Sequence, residues 1–273
     1  MNRGSKVLIA IVGILAICII GGYAGIHAAS GLDSPLSVVM SYSMQHDNSQ
    51  SQIGVIDTGD VMVIQDPSKA TIQSYIEGLS TGYKTFGDYG SVIIYDREKT
   101  DSNPVIHRAI VFLVYNNNGT WSAPSLQNYK AWECTGSSDY RSLSGTLTFT
   151  DITQSHKRVS INLDSLGKCD GYLTMGDNPE SNIYFDQSVG IISHPVRTDD
   201  IRSVALFELP WLGIIKVYMT SDKRGNLDHV PNSIFSIIML FVMVFALIYC
   251  CDIFHQKKEL KRNQEALQRL KNT

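Results

Sequence analysis

Two long apolar segments without charged side chains, residues 7–29 and 234–251, constrain the fold of this 273-residue chain most. At about 1.5 Å rise per residue, helices of this length reach roughly 34 and 27 Å, close to the ~30 Å hydrocarbon thickness of a membrane. A cleaved signal peptide is the alternative for the first segment, but its apolar run exceeds the ~7–15 residues of a signal core. A buried core helix is the alternative for the second. The sequence predicts two transmembrane helices.

The basic residues that flank these segments predict their orientation. Arg3 and Lys6 precede the first segment, and the second is followed by six basic and three acidic residues. Positive flanks stay cytoplasmic, so residues 1–6 form a cytoplasmic N-terminus and 252–273 a basic, helical tail near anionic lipid. Residues 30–233 then lie outside, with 15 Lys and Arg against 23 Asp and Glu, a formal charge of −8. This acidic domain has no basic-aromatic patch, which argues against binding nucleic acid.

Short β-branched and aromatic runs fill the region between the two spans and predict a mainly β domain. The runs are 60–65, 91–96, 109–115, 144–151, 158–163, 190–193, 203–209 and 213–219. One short helix is expected near residues 68–78. Residues 116–168 are typical of an inserted hairpin region without a reactive cluster.

The cysteines carry a separate prediction. Three of the five lie in the membrane segments, leaving Cys134 and Cys169 outside. Two lone cysteines in an oxidising exterior favour one disulfide, although spacing alone does not establish the pairing. No Cys-x-x-Cys or His-rich spacing occurs, so we predict no metal and no cofactor.

Two serines stand close behind the first span, in "PLSVVMSYSMQH" (35–46). In an extended strand Ser41 and Ser43 face the same side, which would present a nucleophile beside an oxyanion donor. The alternative is a surface loop or a helix cap. A nucleophilic serine needs a base within about 3 Å. His107, inside the apolar strand "NPVIHRAIVF", is the candidate because a buried ring needs a partner, although a histidine satisfied within the core is the alternative.

A carboxylate would complete this chemistry by holding the His107 tautomer and stabilising the imidazolium. Asp177 and Asp186 in "YLTMGDNPESNIYFDQ" are the candidates. An Asp-Asn turn with an exposed carboxylate is the alternative reading of this stretch.

The ordered motifs "PLSVVMSYSM", "TGDVMVI", "DYGSVIIYD", "VIHRAIVF", "LTMGDN" and "LPWLGIIKVYM" behind an anchor resemble type I signal peptidases of the archaeal and endoplasmic-reticulum branch. That branch uses a serine with a histidine, where the common bacterial branch uses a serine–lysine dyad. The resemblance covers residues 35–66, 88–115, 171–187 and 204–219. It implies an antiparallel β-sheet catalytic domain flanked by an N-terminal and a C-terminal transmembrane helix.

Residue by residue, the resemblance implies that Ser43 is the nucleophile, that Ser41 assists the oxyanion, and that His107 is the general base. It implies that Asp177, of the Gly-Asp-Asn motif, and Asp186 are the acidic residues.

The sequence departs from the pattern at several positions. Tyr42 replaces a small glycine between the serines, Gln45-His46 replaces Glu-Pro and makes His46 a rival base, and Met175 replaces a basic residue. The gap between the two aspartates is also longer than usual.

The resemblance implies partners and a location. The partners are precursor proteins bearing signal peptides, membrane lipid and the protein translocase. The unusual second span and the long insertion favour an archaeal plasma membrane, with the endoplasmic reticulum as the alternative. A hypothesis of another class is a non-catalytic, bitopic, β-rich surface or envelope protein that binds ligands.

Overall fold

A computed structural model of the protein describes residues 3–98 and 103–271. The chain begins with helix α1 (Arg3–Ser30) and ends with helix α4 (Asn232–Lys271); α2 (Tyr75–Thr81) and α3 (Ile214–Met219) lie between them. Within the described residues, one helix, Asn232–Arg269, is long and apolar enough to cross a membrane, whereas the apolar stretch Ala16–Ser30 of α1 is shorter. Residues 1–2 and 272–273, at the ends of the two predicted cytoplasmic segments, lie outside the described residues.

The region between α1 and α4 is rich in strands. They are β1 (Leu36–Val38), β2 (Val61–Gln65), β3 (Lys84–Thr85), β4 (Asp88–Tyr89), β5 (Val92–Tyr95), β6 (Val105–Tyr115), β7 (Trp121–Ser122), β8 (Trp132–Cys134), β9 (Thr146–Ile152), β10 (Lys157–Asn162), β11 (Gly171–Met175) and β12 (Ile201–Leu209). Short 3₁₀ segments are Pro67–Lys69, Pro124–Gln127, Leu163–Ser165, Thr198–Asp200 and Arg224–His229.

The main sheet has the order β1-β2-β12-β5-β6-β11, with β7 paired to β6. Its pairings are antiparallel. Every residue of β5 is buried, as expected for an apolar strand in the interior of a sheet. The register places Ile93 of β5 opposite His107 of β6, so the histidine lies in the middle of the sheet. The prediction of a mainly β, antiparallel domain is confirmed.

Within residues 116–168, strands β8, β9 and β10 form a second, smaller sheet with the order β10-β9-β8, while β7 pairs with the main sheet. Alternation along β9 and β10 buries Leu147, Phe149, Val159 and Ile161 on one face, as the two-residue period of a strand requires. That face joins the core of the main sheet, where the Phe149 ring meets the ring of Phe185 edge-on at 5.9 Å between centroids. The inserted region is therefore packed against the segment that carries Asp186.

Two predicted strands are wrong. Residues 213–219 contain helix α3, because Ile214 and Val217, three positions apart, are the residues that are buried, which is helical spacing. Gly213 precedes this helix, where a side chain would collide with Val38. Residues 190–193 form no strand, since the amide of Ile191 donates to the Asp186 carbonyl and closes a turn. The expected helix near 68–78 begins later, at Tyr75.

The predicted disulfide between Cys134 and Cys169 is also wrong. Both residues are free thiols. The Cys134 thiol, on β8 of the small sheet, donates to the Ser144 carbonyl at 2.9 Å. The Cys169 thiol, just before β11, donates to the Pro195 carbonyl at 3.7 Å. Each sulfur therefore contacts a different part of the chain.

Candidate active site

Ser43 lies in a turn directly after the edge strand β1. Pairing of β1 with β2 ends at Val38, and the amide of Gln45 donates to the Tyr42 carbonyl, so the expectation of an extended strand through the serines is wrong. The turn nevertheless brings the Ser41 and Ser43 hydroxyls to 3.3 Å from each other. The Ser43 carbonyl accepts the amide of Asn178 at 3.0 Å, which fixes the turn against the segment after β11.

His107 contacts both a hydroxyl and a carboxylate. The residue is 4% exposed, its Nε2 lies 3.0 Å from Ser43 Oγ, and its Nδ1 lies 2.7 Å from Asp186 Oδ2. A carboxylate accepts only, so Nδ1 carries the proton and Nε2 is left as the acceptor for the Ser43 hydroxyl. The structure therefore brings the Ser43 hydroxyl to one side of the His107 ring and the Asp186 carboxylate to the other.

Asp186 is held by residues that sequence reasoning missed. The Tyr95 hydroxyl donates to Asp186 Oδ2 at 2.5 Å and lies 2.9 Å from Thr174 Oγ1, while the Asp186 amide donates to the Thr174 carbonyl. Burial, and then the adjacent Asp186 carboxylate, raises the pKa of Tyr95 well above its usual range. Tyr95 therefore remains a donor. The sequence did contain a signal for this contact: a tyrosine within an apolar, buried strand needs a hydrogen-bond partner for its hydroxyl.

Asp177 is paired with Arg108 instead of His107. Its oxygens accept from Arg108 Nε at 2.8 Å and Nη2 at 2.5 Å, and both side chains are fully buried. Arg108 Nη1 donates to the carbonyls of Tyr89 and Gly90, each at 3.0 Å. Burial is the largest single influence and would raise the pKa of Asp177, but the charges and hydrogen bonds of Arg108 and His46 together outweigh it and lower that pKa to about 2. Of the two candidate carboxylates, Asp177 therefore binds Arg108, and Asp186 is the one that contacts the His107 ring.

The predicted rival base, His46, also belongs to this buried ion pair. Its Nε2 lies 3.4 Å from Asp177 Oδ2, and among the described residues it has no hydrogen bond to Ser43. The Asp177 carboxylate thus lies between two basic side chains, His46 and Arg108. We infer that Asp177, Arg108 and His46 stabilise the structure around the active site.

Donors for a developing oxyanion lie close to Ser43. Ser41 Oγ is one, and the Ser43 amide has no acceptor among the described residues. A third polar group is the Asn182 amide, which sequence reasoning did not identify; its Nδ2 lies 3.4 Å from His107 Nε2. The Ser181 hydroxyl donates to Asn182 Oδ1 at 2.9 Å, which turns the Asn182 NH₂ group towards His107.

Ser43 and His107 open into a cleft of about 460 Å³. Its walls are the segments 36–43 and 103–107, and Met62 and Ile94 add apolar surface. The described lining residues include three basic side chains, Arg97, Lys216 and Lys223, and no acidic one. No group of three His, Cys, Asp or Glu side chains placed to hold a metal occurs in the ranges 3–98 and 103–271.

The chain matches no known protein family, and no curated protein matches it. What the site can do therefore follows from its own geometry. A serine hydroxyl 3.0 Å from an imidazole whose other nitrogen faces a carboxylate is the arrangement that activates serine for nucleophilic attack on an acyl carbon.

Proposed function

We propose that the protein is a membrane-bound serine endopeptidase that removes N-terminal signal peptides from exported precursor proteins, cutting after small residues. Ser43 is the nucleophile, His107 the general base, and Asp186 the carboxylate that orients the base. The observation that carries the proposal is the double contact of His107, at 3.0 Å to Ser43 Oγ and 2.7 Å to Asp186 Oδ2.

The chemistry follows the order of these contacts. Ser43 Oγ attacks the scissile carbonyl while its proton passes to His107 Nε2, and Asp186 stabilises the imidazolium. The Ser43 amide and the Ser41 hydroxyl donate to the oxyanion, where one good donor is worth roughly 3–4 kcal/mol. Collapse of the intermediate transfers the proton from His107 to the leaving amine. A water molecule, activated by the same ring, then hydrolyses the acyl-enzyme.

The membrane location rests on the apolar helices at both ends of the domain. We propose that α1 and α4 both span the bilayer, with residues 30–233 outside, in an archaeal plasma membrane. The end of α1 is fixed to the domain, since the Ser30 carbonyl accepts the Asp66 amide at 2.9 Å and Ser30 Oγ donates to the Ile64 carbonyl at 2.6 Å. Ser43 follows this junction by 13 residues, which keeps the cleft near the membrane surface.

Two free strand edges favour binding of an extended substrate. β1 is the outermost strand of the main sheet, and β11 pairs with β6 only from Arg108 onward, so within the described residues Val105 to His107 have no strand partner on that side. Both edges border the cleft. A cleavage segment that adds as a strand would obtain backbone hydrogen bonds there and would pass Ser43.

The direct test is cleavage of a signal-peptide-bearing precursor by the full chain in detergent. Ser43→Ala and His107→Ala should each abolish cleavage, with the fold checked by circular dichroism. Ser49→Ala is the matched control, because Ser49 lies in the following loop and, among the described residues, bonds only to Asp47. Cleavage at the wild-type rate by either active-site variant would contradict the proposed mechanism. A wild-type chain that binds precursor without cutting it would favour the non-catalytic surface protein.

A further inference from the structure

Lys157 connects the inserted sheet to the active site. It lies at the start of β10, and its side chain is half-buried. The Nζ atom donates to the Asn178 carbonyl at 2.7 Å and to the Asn182 carbonyl at 2.6 Å. One ammonium group from residues 116–168 thus binds two backbone oxygens of the segment that follows β11.

That segment, residues 176–182, contacts both Ser43 and His107. The Asn178 amide donates to the Ser43 carbonyl, and the Asn182 side chain reaches to 3.4 Å from His107 Nε2. A side chain at Gly176 would come within 2.4 Å of the Ser43 carbonyl and 2.0 Å of Asn182 Nδ2, so the segment packs closely against both. Its position decides where the Asn182 amide lies relative to the reacting atoms.

The environment of Lys157 differs from that of an ordinary surface lysine. Burial lowers its pKa to about 8, while the Asp177 carboxylate acts in the opposite direction. An ammonium group that has lost much of its water needs hydrogen-bond acceptors in the protein. The two loop carbonyls provide them, so the contact stabilises the lysine and the loop together.

We propose that Lys157 is a positioning residue of the peptidase: it holds the segment 178–182 so that the Asn182 amide lies beside Ser43 and His107. The inserted sheet then supports the active site through the contacts of Lys157 with this segment. This inference rests on the proposed function for its kinetic consequence. The structural part, that Lys157 orders the segment, is independent of the reaction.

The experiment compares Lys157→Met and Lys157→Arg in the full chain in detergent. Lys157→Met should lower kcat for precursor cleavage about tenfold or more, because small misplacements of polar groups are costly, and should change KM little. Lys157→Arg keeps the charge and the donors, so it should restore part of the loss. Lys130→Met is the matched control, since this lysine of the same region is exposed and its Nζ donates to the carbonyl of its neighbour Gln127.

Amide hydrogen exchange reports the ordering directly. The amides of Asn178, Glu180, Ser181 and Asn182 should exchange at least about tenfold faster in Lys157→Met than in the wild type. Unchanged exchange together with unchanged kcat would overturn the inference. If Ser43→Ala retained cleavage, the proposed function would fail, but the exchange data would still decide whether Lys157 holds the segment.

A double-mutant cycle separates positioning from general stability. If Lys157 acts through Asn182, the kcat losses of Lys157→Met and Asn182→Ala should not add in the double variant. Additive losses would contradict a shared role. Lys157→Gln, which keeps a donor, replaces the methionine variant if melting shows that the latter does not fold.

Discussion

The buried pair of Asp177 and Arg108 gives a quantitative prediction for the variant Asp177→Asn. The substitution keeps the shape of the side chain but removes its charge. The guanidinium of Arg108 then stays fully buried, with the backbone carbonyls of Tyr89 and Gly90 as its remaining close acceptors. An uncompensated buried charge is among the most destabilising changes in a folded protein.

The size of the effect follows from the pKa of Asp177, which the structure lowers from 3.8 to about 2. At about 1.36 kcal/mol per pKa unit, this shift corresponds to about 2 kcal/mol in favour of the folded carboxylate. Breaking a buried ion pair typically costs about 3–5 kcal/mol. We therefore expect Asp177→Asn to lower the free energy of unfolding by about 2–4 kcal/mol at neutral pH.

The pH dependence of this loss has a defined sign. Because the folded pKa is depressed, the stabilisation by Asp177 is complete above pH 4 and is lost as the pH falls towards 2. Melting in detergent, followed by circular dichroism, should show a gap between wild type and Asp177→Asn that is constant from pH 5 to 7 and shrinks below about pH 3. Asp200→Asn is the control, because its partner Arg197 is exposed and such pairs contribute about 0–1 kcal/mol. A variant as stable as the wild type at pH 7 would refute the reasoning.

Three further changes test other parts of the site. Asp186→Asn should lower kcat by a factor of about 10⁴, as in other serine triads, because an amide NH₂ group facing Nδ1 favours the tautomer in which His107 Nε2 cannot accept the Ser43 proton. A kcat within tenfold of the wild-type value would contradict this. Burial raises the pKa of Asp60 to about 7, despite hydrogen bonds from the backbone that act in the opposite direction. The stability due to the protonated carboxyl group is therefore lost as the pH rises through about 7. The melting temperature of the wild type should fall from pH 5 to pH 8, and that of Asp60→Asn should fall less. Lys216 is one of the basic side chains that line the cleft, so Lys216→Glu should favour precursors with basic residues beside the cleavage site over precursors with acidic ones. Unchanged relative cleavage rates would exclude a role for this charge.

The strands were predictable where apolar, β-branched runs end at turn residues, as in β2, β5 and β12. Helix α3 was not predictable, because the β-branched residues of "GIIKVYM" are typical of a strand. Contacts with distant parts of the chain decide that two of its residues are buried at helical spacing. The signal missed for α2 was local: Ser74 and Glu77 form a capping box, in which each side chain accepts the amide of the other. Its three-residue spacing marks the start of a helix in sequence.

The site was predictable in its residue types and only partly in its contacts. Ser43 and His107 stood out because one follows an anchor and the other is a titrating ring within an apolar strand. The two aspartates could not be told apart, since they lie nine residues apart and the loop between them decides which one faces the ring. The contributions of Lys157 and Asn182 depend on the packing of the inserted sheet, which local sequence patterns do not report.

The most direct measurement of the central claim is acylation of the full chain in detergent by an acyl-trapping serine protease inhibitor, read by mass spectrometry of the peptides. If His107 activates Ser43, the adduct mass should appear on the peptide that contains Ser43 in the wild type and be absent in His107→Ala. A wild-type chain that gains no adduct on that peptide, or one that gains it equally without the His107 ring, would contradict the account.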